Sequence, residues 1–143
     1  KVLAMVFDEL RLQNVLLEGI VLKPNMVLSG YNCDEQASVE EVAQLTVEVF
    51  KRTVPVSVPG IAFLSGGQSD ELATAHLNEM NKSFGGSCPW NLTYSYGRAL
   101  QAPALKAWGG DDKNIELAQK AFYKRASLNS LASKGEYNQG MED

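Results

Sequence analysis

The chain has 143 residues, of which 45% are hydrophobic and 21% are charged, a composition typical of one globular domain over residues 1–143. Its net charge of −4 gives no field that would attract nucleic acid or an anionic membrane, so neither is expected as a partner. No apolar run approaches the roughly 18 residues that cross a bilayer. Cys33 and Cys88 predict two reduced thiols of a cytoplasmic protein.

The first part of the chain predicts a helix, a strand, a loop and a second helix. Apolar residues recur at helical spacing over residues 2–12. Residues 15–22 are short and mostly apolar, which predicts a strand buried on both faces. Residues 25–37 are polar and predict a loop. Ser38 and Glu41 then have the spacing of a capping box, which predicts the start of a helix.

The rest of the chain repeats the strand-helix alternation. It predicts strands at 60–64 and 91–96, a helix opening at Asp70, a short helix up to Ala107, and a long helix over 114–132. Such alternation favours an α/β fold with a parallel sheet. Three strands are few for a parallel sheet, so the pattern suggests part of a larger domain. The last residues, 135–143, are expected to be frayed.

Unusual residues follow each of the three predicted strands. Lys23 follows the first strand, Ser65-Gly66-Gly67 follows the second, and Gly97-Arg98 follows the third. The carboxyl ends of parallel strands lie on one side of an α/β fold, and that side carries the active site. We therefore expect these three segments to meet at one site.

The second and third segments have the residue types of a phosphate site. Glycines after a strand let backbone N–H groups approach an oxyanion, and a helix N-terminus adds partial positive charge. Ser65 offers a hydroxyl donor, and the Arg98 guanidinium can bind phosphate with two hydrogen bonds. A tight turn without a ligand is the alternative for the glycine pair. Two neighbouring segments of this kind favour phosphate.

Lys23 has two interpretations. One is a surface lysine that happens to follow a strand. The other is a nucleophile, because an apolar neighbourhood and a nearby cation such as Arg98 would favour the neutral amine. A neutral amine attacks a ketone and forms a Schiff base. A phosphate site beside it would hold a phosphorylated ketone over the amine.

No residues predict a metal or cofactor site. A single histidine and two distant cysteines do not form a zinc site. His76 lies four residues from Leu72 and from Met80, which predicts a histidine that packs inside a helix interface.

Four segments together resemble the C-terminal part of class I fructose-bisphosphate aldolase. They are "LLEGIVLKPNMV" at 16–27, "RTVPVSVPGIAFLSGGQSDELA" at 52–73, "LTYSYGRALQ" at 92–101 and "LKAWGG" at 105–110. The resemblance runs along nearly the whole chain, in order and with suitable spacing.

This resemblance implies an eight-stranded β/α barrel of the TIM-barrel family, of which the three strands would be the sixth to eighth. It implies reversible cleavage of fructose 1,6-bisphosphate to dihydroxyacetone phosphate and glyceraldehyde 3-phosphate, without metal or cofactor, in glycolysis and gluconeogenesis. Lys23 would be the Schiff-base lysine. Ser65, Gly66, Gly97 and Arg98 would bind the phosphate next to the ketone. Members are commonly tetrameric and are reported to bind actin, so a homo-oligomer and a cytoskeletal partner are expected.

The chain also departs from the family pattern. A complete barrel takes about 250 residues, so the first five strands, the proton-transfer residues and most of the distal phosphate site have no counterpart here. The isolated chain is therefore expected to be inactive. Two alternatives stay open: a non-catalytic binding or scaffold protein derived from an aldolase, and another phosphosugar aldolase that uses a lysine. A cytoplasmic location is expected, and the sequence does not separate it from a plastid.

Overall fold

A computed structural model describes all residues from 1 to 143. It contains five α-helices: α1 (Val2–Leu12), α2 (Val39–Thr53), α3 (Asp70–Phe84), α4 (Arg98–Trp108) and α5 (Ile115–Ala132). The three strands are β1 (Val21–Leu22), β2 (Gly60–Phe63) and β3 (Asn91–Tyr94). None of the helices combines the length and the apolar character needed to span a bilayer.

The strands form one parallel sheet in the order β1-β2-β3, which confirms the predicted α/β class. Leu22 of β1 pairs with Ile61 of β2, and Ile61 pairs with Leu92 of β3. Each strand is followed by a helix along the chain, so consecutive strands are joined by β/α crossovers. The three strands therefore end on the same side of the sheet.

Helices cover one face of this sheet. Ile61 and Phe63 of β2 are fully buried, and the Phe63 ring stacks on Phe50 of α2 with centroids 5.7 Å apart. Alternate residues point to the opposite face, where Ala62 and Thr93 stay partly exposed. The protein thus has a covered helical face and a less covered second face.

The prediction of a strand over residues 15–22, buried on both faces, is wrong for most of that segment. Leu17–Gly19 forms a 3-10 turn, and only Val21 and Leu22 pair as β1. Val21 is 63% exposed. Val21 pairs with Gly60, so its side chain points to the same less covered face as Ala62, and β1 has no strand on its outer side.

The helix starts were predicted from local residues and are confirmed. The Ser38 hydroxyl accepts a hydrogen bond from the Glu41 N–H at 3.2 Å and caps α2. Asp70 and Glu71 lie in the first turn of α3, as expected from their charge.

The prediction of a frayed C-terminal segment is wrong. Tyr137 is only 6% exposed, and its N–H donates to Asn78 of α3 at 2.9 Å. Glu142 binds both terminal nitrogens of Arg125, at 2.7 and 2.9 Å. Because Arg125 is buried, this carboxylate neutralises a charge that would otherwise be costly to bury.

Candidate active site

The segments after the three strands lie side by side at one edge of the fold. The Leu64 N–H donates to the Pro24 carbonyl at 3.0 Å, which joins the residue after Lys23 to the residue before Ser65. The Ser95 N–H donates to the Phe63 carbonyl at 2.8 Å and continues the β2-β3 pairing. Neighbouring chains in such a ladder are about 4.8 Å apart. The structure thus brings the segments of the predicted site residues to the same edge.

The turn from Ser65 to Gly67, here called the glycine loop, requires its two glycines. Gly66 and Gly67 have φ angles of +60° and +83°, which side chains rarely adopt. A Cβ on Gly66 would collide with the side chain of Asn25, and a Cβ on Gly67 would lie 2.5 Å from the Tyr31 hydroxyl. The Tyr31 hydroxyl also donates to the Gly66 carbonyl. The loop therefore has a specific shape held by the segment that follows Lys23.

The start of α3 is an unfavourable place for an anion. The Ser69 hydroxyl already accepts from the Leu72 N–H at 3.2 Å. Asp70 and Glu71 add negative charge to the first turn. An anion near the start of α3 would therefore be bound by the N–H groups of the glycine loop and not by the helix itself.

The start of α4 has the opposite character. Its first turn carries no acidic residue, and Gly97, the residue before the helix, offers no side chain to cap it. The N-terminal N–H groups therefore keep their partial positive charge. Arg98 is the first residue of the helix and is exposed. A Cβ on Gly97 would meet no atom within 4 Å, so the approach to this helix start is open.

Lys23 lies at the same edge and is exposed. Leu22 pairs with Ile61, so Lys23 is the residue next to Ala62 on the neighbouring strand. Both therefore point to the less covered face of the sheet. The expectation of apolar walls around Lys23 is wrong for residues 1–143, because β1 has no neighbour on its outer side.

His76 packs inside a helix interface, as predicted, and is 2% exposed. Burial lowers the pKa of His76 to about 4, against the opposing effect of the Glu40 carboxylate. No group of three or more histidine, cysteine or acidic side chains is close enough to hold a metal ion.

Sequence reasoning missed the residues that shape the glycine loop. Asn25, Tyr31 and Gln68 contact this loop directly. The only available signal was their nearness in sequence to Lys23 or to Gly67, which says nothing about side-chain contacts.

The family model described as class I fructose-bisphosphate aldolase matches residues 1–143. The chain belongs to this family. Among curated aldolases, aldolase B of Sparus aurata is 56% identical over 137 residues, and aldolase B of Gallus gallus is 55% identical over 137 residues. These matches cover 96% of this chain and 37% of each relative.

A solved aldolase structure supports the same conclusion. The Plasmodium falciparum enzyme, in complex with TRAP and a small-molecule inhibitor, superimposes with a TM-score of 0.93 at 49% identity. The superposition covers 97% of this chain and 40% of the Plasmodium chain. The predicted TIM-barrel family is therefore confirmed, with three of its parallel strands described here. The chain spans about two-fifths of the length of the aldolases that it matches.

Proposed function

We propose that this chain carries the Schiff-base lysine and one phosphate site of an enzyme that reversibly cleaves fructose 1,6-bisphosphate. Lys23 is the nucleophile. Ser65, Gly66, Gly97 and Arg98 bind the phosphate next to the ketone. Further residues, supplied outside residues 1–143, would move protons and hold the distal phosphate.

One observation carries this proposal: the open, uncapped start of α4 lies at the same sheet edge as the glycine loop and Lys23. Backbone N–H groups and the Arg98 guanidinium suit a dianion, whereas the acidic start of α3 does not. Leu64 is hydrogen-bonded to Pro24, and Ser95 is hydrogen-bonded to Phe63, so Lys23 and the start of α4 follow strand ends that are two strand spacings, roughly 10 Å, apart. A phosphorylated ketone is the substrate class that spans these two groups.

The chemistry follows from a positioned amine. The neutral Lys23 amine adds to the ketone carbon, and loss of water leaves an imine. The protonated imine accepts the electron pair of the breaking carbon-carbon bond, while a base supplied outside residues 1–143 takes the proton of the hydroxyl on the departing carbon, which leaves as the aldehyde. Protonation of the resulting enamine and hydrolysis of the imine release the ketone phosphate and restore the amine. Binding the phosphate keeps the carbonyl over the amine, and such positioning lowers the barrier by several kcal/mol.

Borohydride trapping tests the role of Lys23. The complete protein that contains this chain is mixed with dihydroxyacetone phosphate and reduced, and peptides are mapped by mass spectrometry. We expect the reduced adduct on Lys23, and none in the Lys23→Arg variant, because a guanidinium does not form an imine. An adduct on a different lysine would remove the assignment.

A non-catalytic role is the second candidate, favoured by the exposed apolar surface of α1. Val2, Met5 and Val6 are 73%, 59% and 41% exposed, and β1 leaves one edge of the sheet without a strand. In a homo-oligomer, or in a complex with a cytoskeletal or other protein, this surface would be covered. The Plasmodium relative was solved with a protein partner, TRAP. An aldolase assay of the complete protein that contains this chain separates the candidates: cleavage of fructose 1,6-bisphosphate supports catalysis, and its absence supports the binding role.

A further inference from the structure

His76 lies beside the glycine loop, although no step of the proposed reaction uses it. It is on the second turn of α3, and its Nδ1 is 2.6 Å from the Oε1 of Gln68. The Nε2 of Gln68 donates to the Ser65 carbonyl at 2.8 Å. These three residues form a hydrogen-bonded relay, the His76-Gln68-Ser65 relay, which ends on the first residue of the loop.

The proton positions in this relay follow from the chemistry of its members. A carbonyl oxygen only accepts, so the Gln68 amide must face Ser65 with its NH₂ group and His76 with its oxygen. That oxygen also only accepts, so the His76 Nδ1 carries the proton. The Nε2 then has a free lone pair, and it is buried with no hydrogen-bond partner. Burial lowers the pKa of His76 to about 4, so this neutral tautomer persists near neutral pH.

Packing alone does not account for a histidine at this position. A leucine would fill similar space without burying an unpaired nitrogen, which is unfavourable. The Nδ1 donor is the one polar function that the imidazole fulfils here. Its acceptor, Gln68, also binds the Ser65 carbonyl through its own backbone N–H at 3.1 Å. Both bonds from Gln68 therefore fix the turn that contains the two positive-φ glycines.

We propose that His76 is a positioning residue for phosphate binding, which acts through Gln68 to hold Ser65 and aim the N–H groups of the glycine loop. This inference rests on the proposed function, because the orientation of the loop affects catalysis only where the loop binds the substrate phosphate. His76 itself does not touch the substrate.

Two substitutions of similar size test the relay in the complete protein. In His76→Asn the amide nitrogen takes the place of Nδ1, whereas His76→Leu offers no donor. We expect His76→Leu to raise the KM for fructose 1,6-bisphosphate and the Kd for inorganic phosphate roughly five-fold, as for one lost hydrogen bond. Its kcat should stay within about two-fold, because Lys23 is untouched. His76→Asn should retain both constants near wild type. Equal constants in the Leu variant and wild type would overturn the relay, as would equal losses in both variants.

If His76→Leu does not fold, Gln68→Met tests the relay in its place. Methionine has a similar length and no donor, so we expect the same rise in KM and faster amide hydrogen exchange at Gly66 and Gly67. Where His76→Leu does fold, adding it to Gln68→Met should change KM no further, since the relay is already broken. Additive effects, or exchange unchanged in Gln68→Met, would overturn the proposal.

Arg98→Ala, measured in parallel, separates this inference from the proposed function. If Arg98→Ala raises KM and the relay variants do not, the relay is wrong and the phosphate site stands. If neither Arg98→Ala nor any relay variant changes KM, both the relay and the phosphate site are wrong.

Discussion

The strand before Lys23 and the strand before the glycine loop have similar apolar sequences and very different surroundings. Ile61 and Phe63 of β2 are fully buried, because β2 has a strand on each side and helices over one face. Val21 of β1 is 63% exposed, because it points to the opposite, less covered face and because β1 has a strand on one side only. The phosphate half of the candidate site is therefore shaped by contacts within this chain. The lysine half lacks such cover within residues 1–143.

The largest expected difference between the two strands is in stability. Ile61→Ala should lower the free energy of unfolding by about 2–5 kcal/mol, since it leaves a cavity in a close-packed core. Val21→Ala should lower it by less than about 0.5 kcal/mol, as for most exposed positions. Urea unfolding of residues 1–143 measures both. Similar losses at the two positions would show that β1 is covered in solution, for instance by a second copy of the chain.

The covered half should also respond to acid through His76. The pKa of His76 is about 4 in the folded protein, below its ordinary value of 6.5. Between these values the unfolded chain binds a proton that the folded chain does not, so stability falls as pH falls. The free energy of unfolding changes by at most about 1.4 kcal/mol per pH unit, so it falls by roughly 3 kcal/mol between pH 6.5 and pH 4.

Urea unfolding of wild type and His76→Asn at several pH values isolates this contribution. Asparagine does not titrate, so the stability difference between the two proteins should change between pH 6.5 and 4 and stay constant above pH 7. A pH-independent difference would mean that His76 is solvated in solution.

Substrate binding should also separate the phosphate half of the site from the lysine half. Arg98→Ala removes charge-assisted hydrogen bonds to phosphate, so KM should rise about ten-fold to a hundred-fold. At saturating dihydroxyacetone phosphate, borohydride should still trap the adduct on Lys23. Arg98→Lys is the matched control, since it keeps the charge without the two-pronged geometry. Loss of the trapped adduct in Arg98→Ala at saturation would show that the two halves are not independent.

Local sequence signals predicted the elements whose determinants are local. Ser38 and the acidic residues that open α3 mark helix starts because caps and first-turn charges act within a few residues. The apolar run before Lys23 predicted a buried strand and was wrong for most of its length. An apolar run predicts that a segment can be buried. It does not predict whether another strand or helix lies beside that segment.

The parallel α/β pattern, the family and the candidate residues at the strand ends could all be predicted from the sequence, because periodicity, turn residues and motifs depend on residues close together in the chain. The contacts of Asn25 and Tyr31 with the glycine loop, and the link from His76 through Gln68 to Ser65, required the folded structure. It also decided that the C-terminal segment docks on Arg125. Those contacts join residues from separate elements, and their geometry depends on how the elements pack.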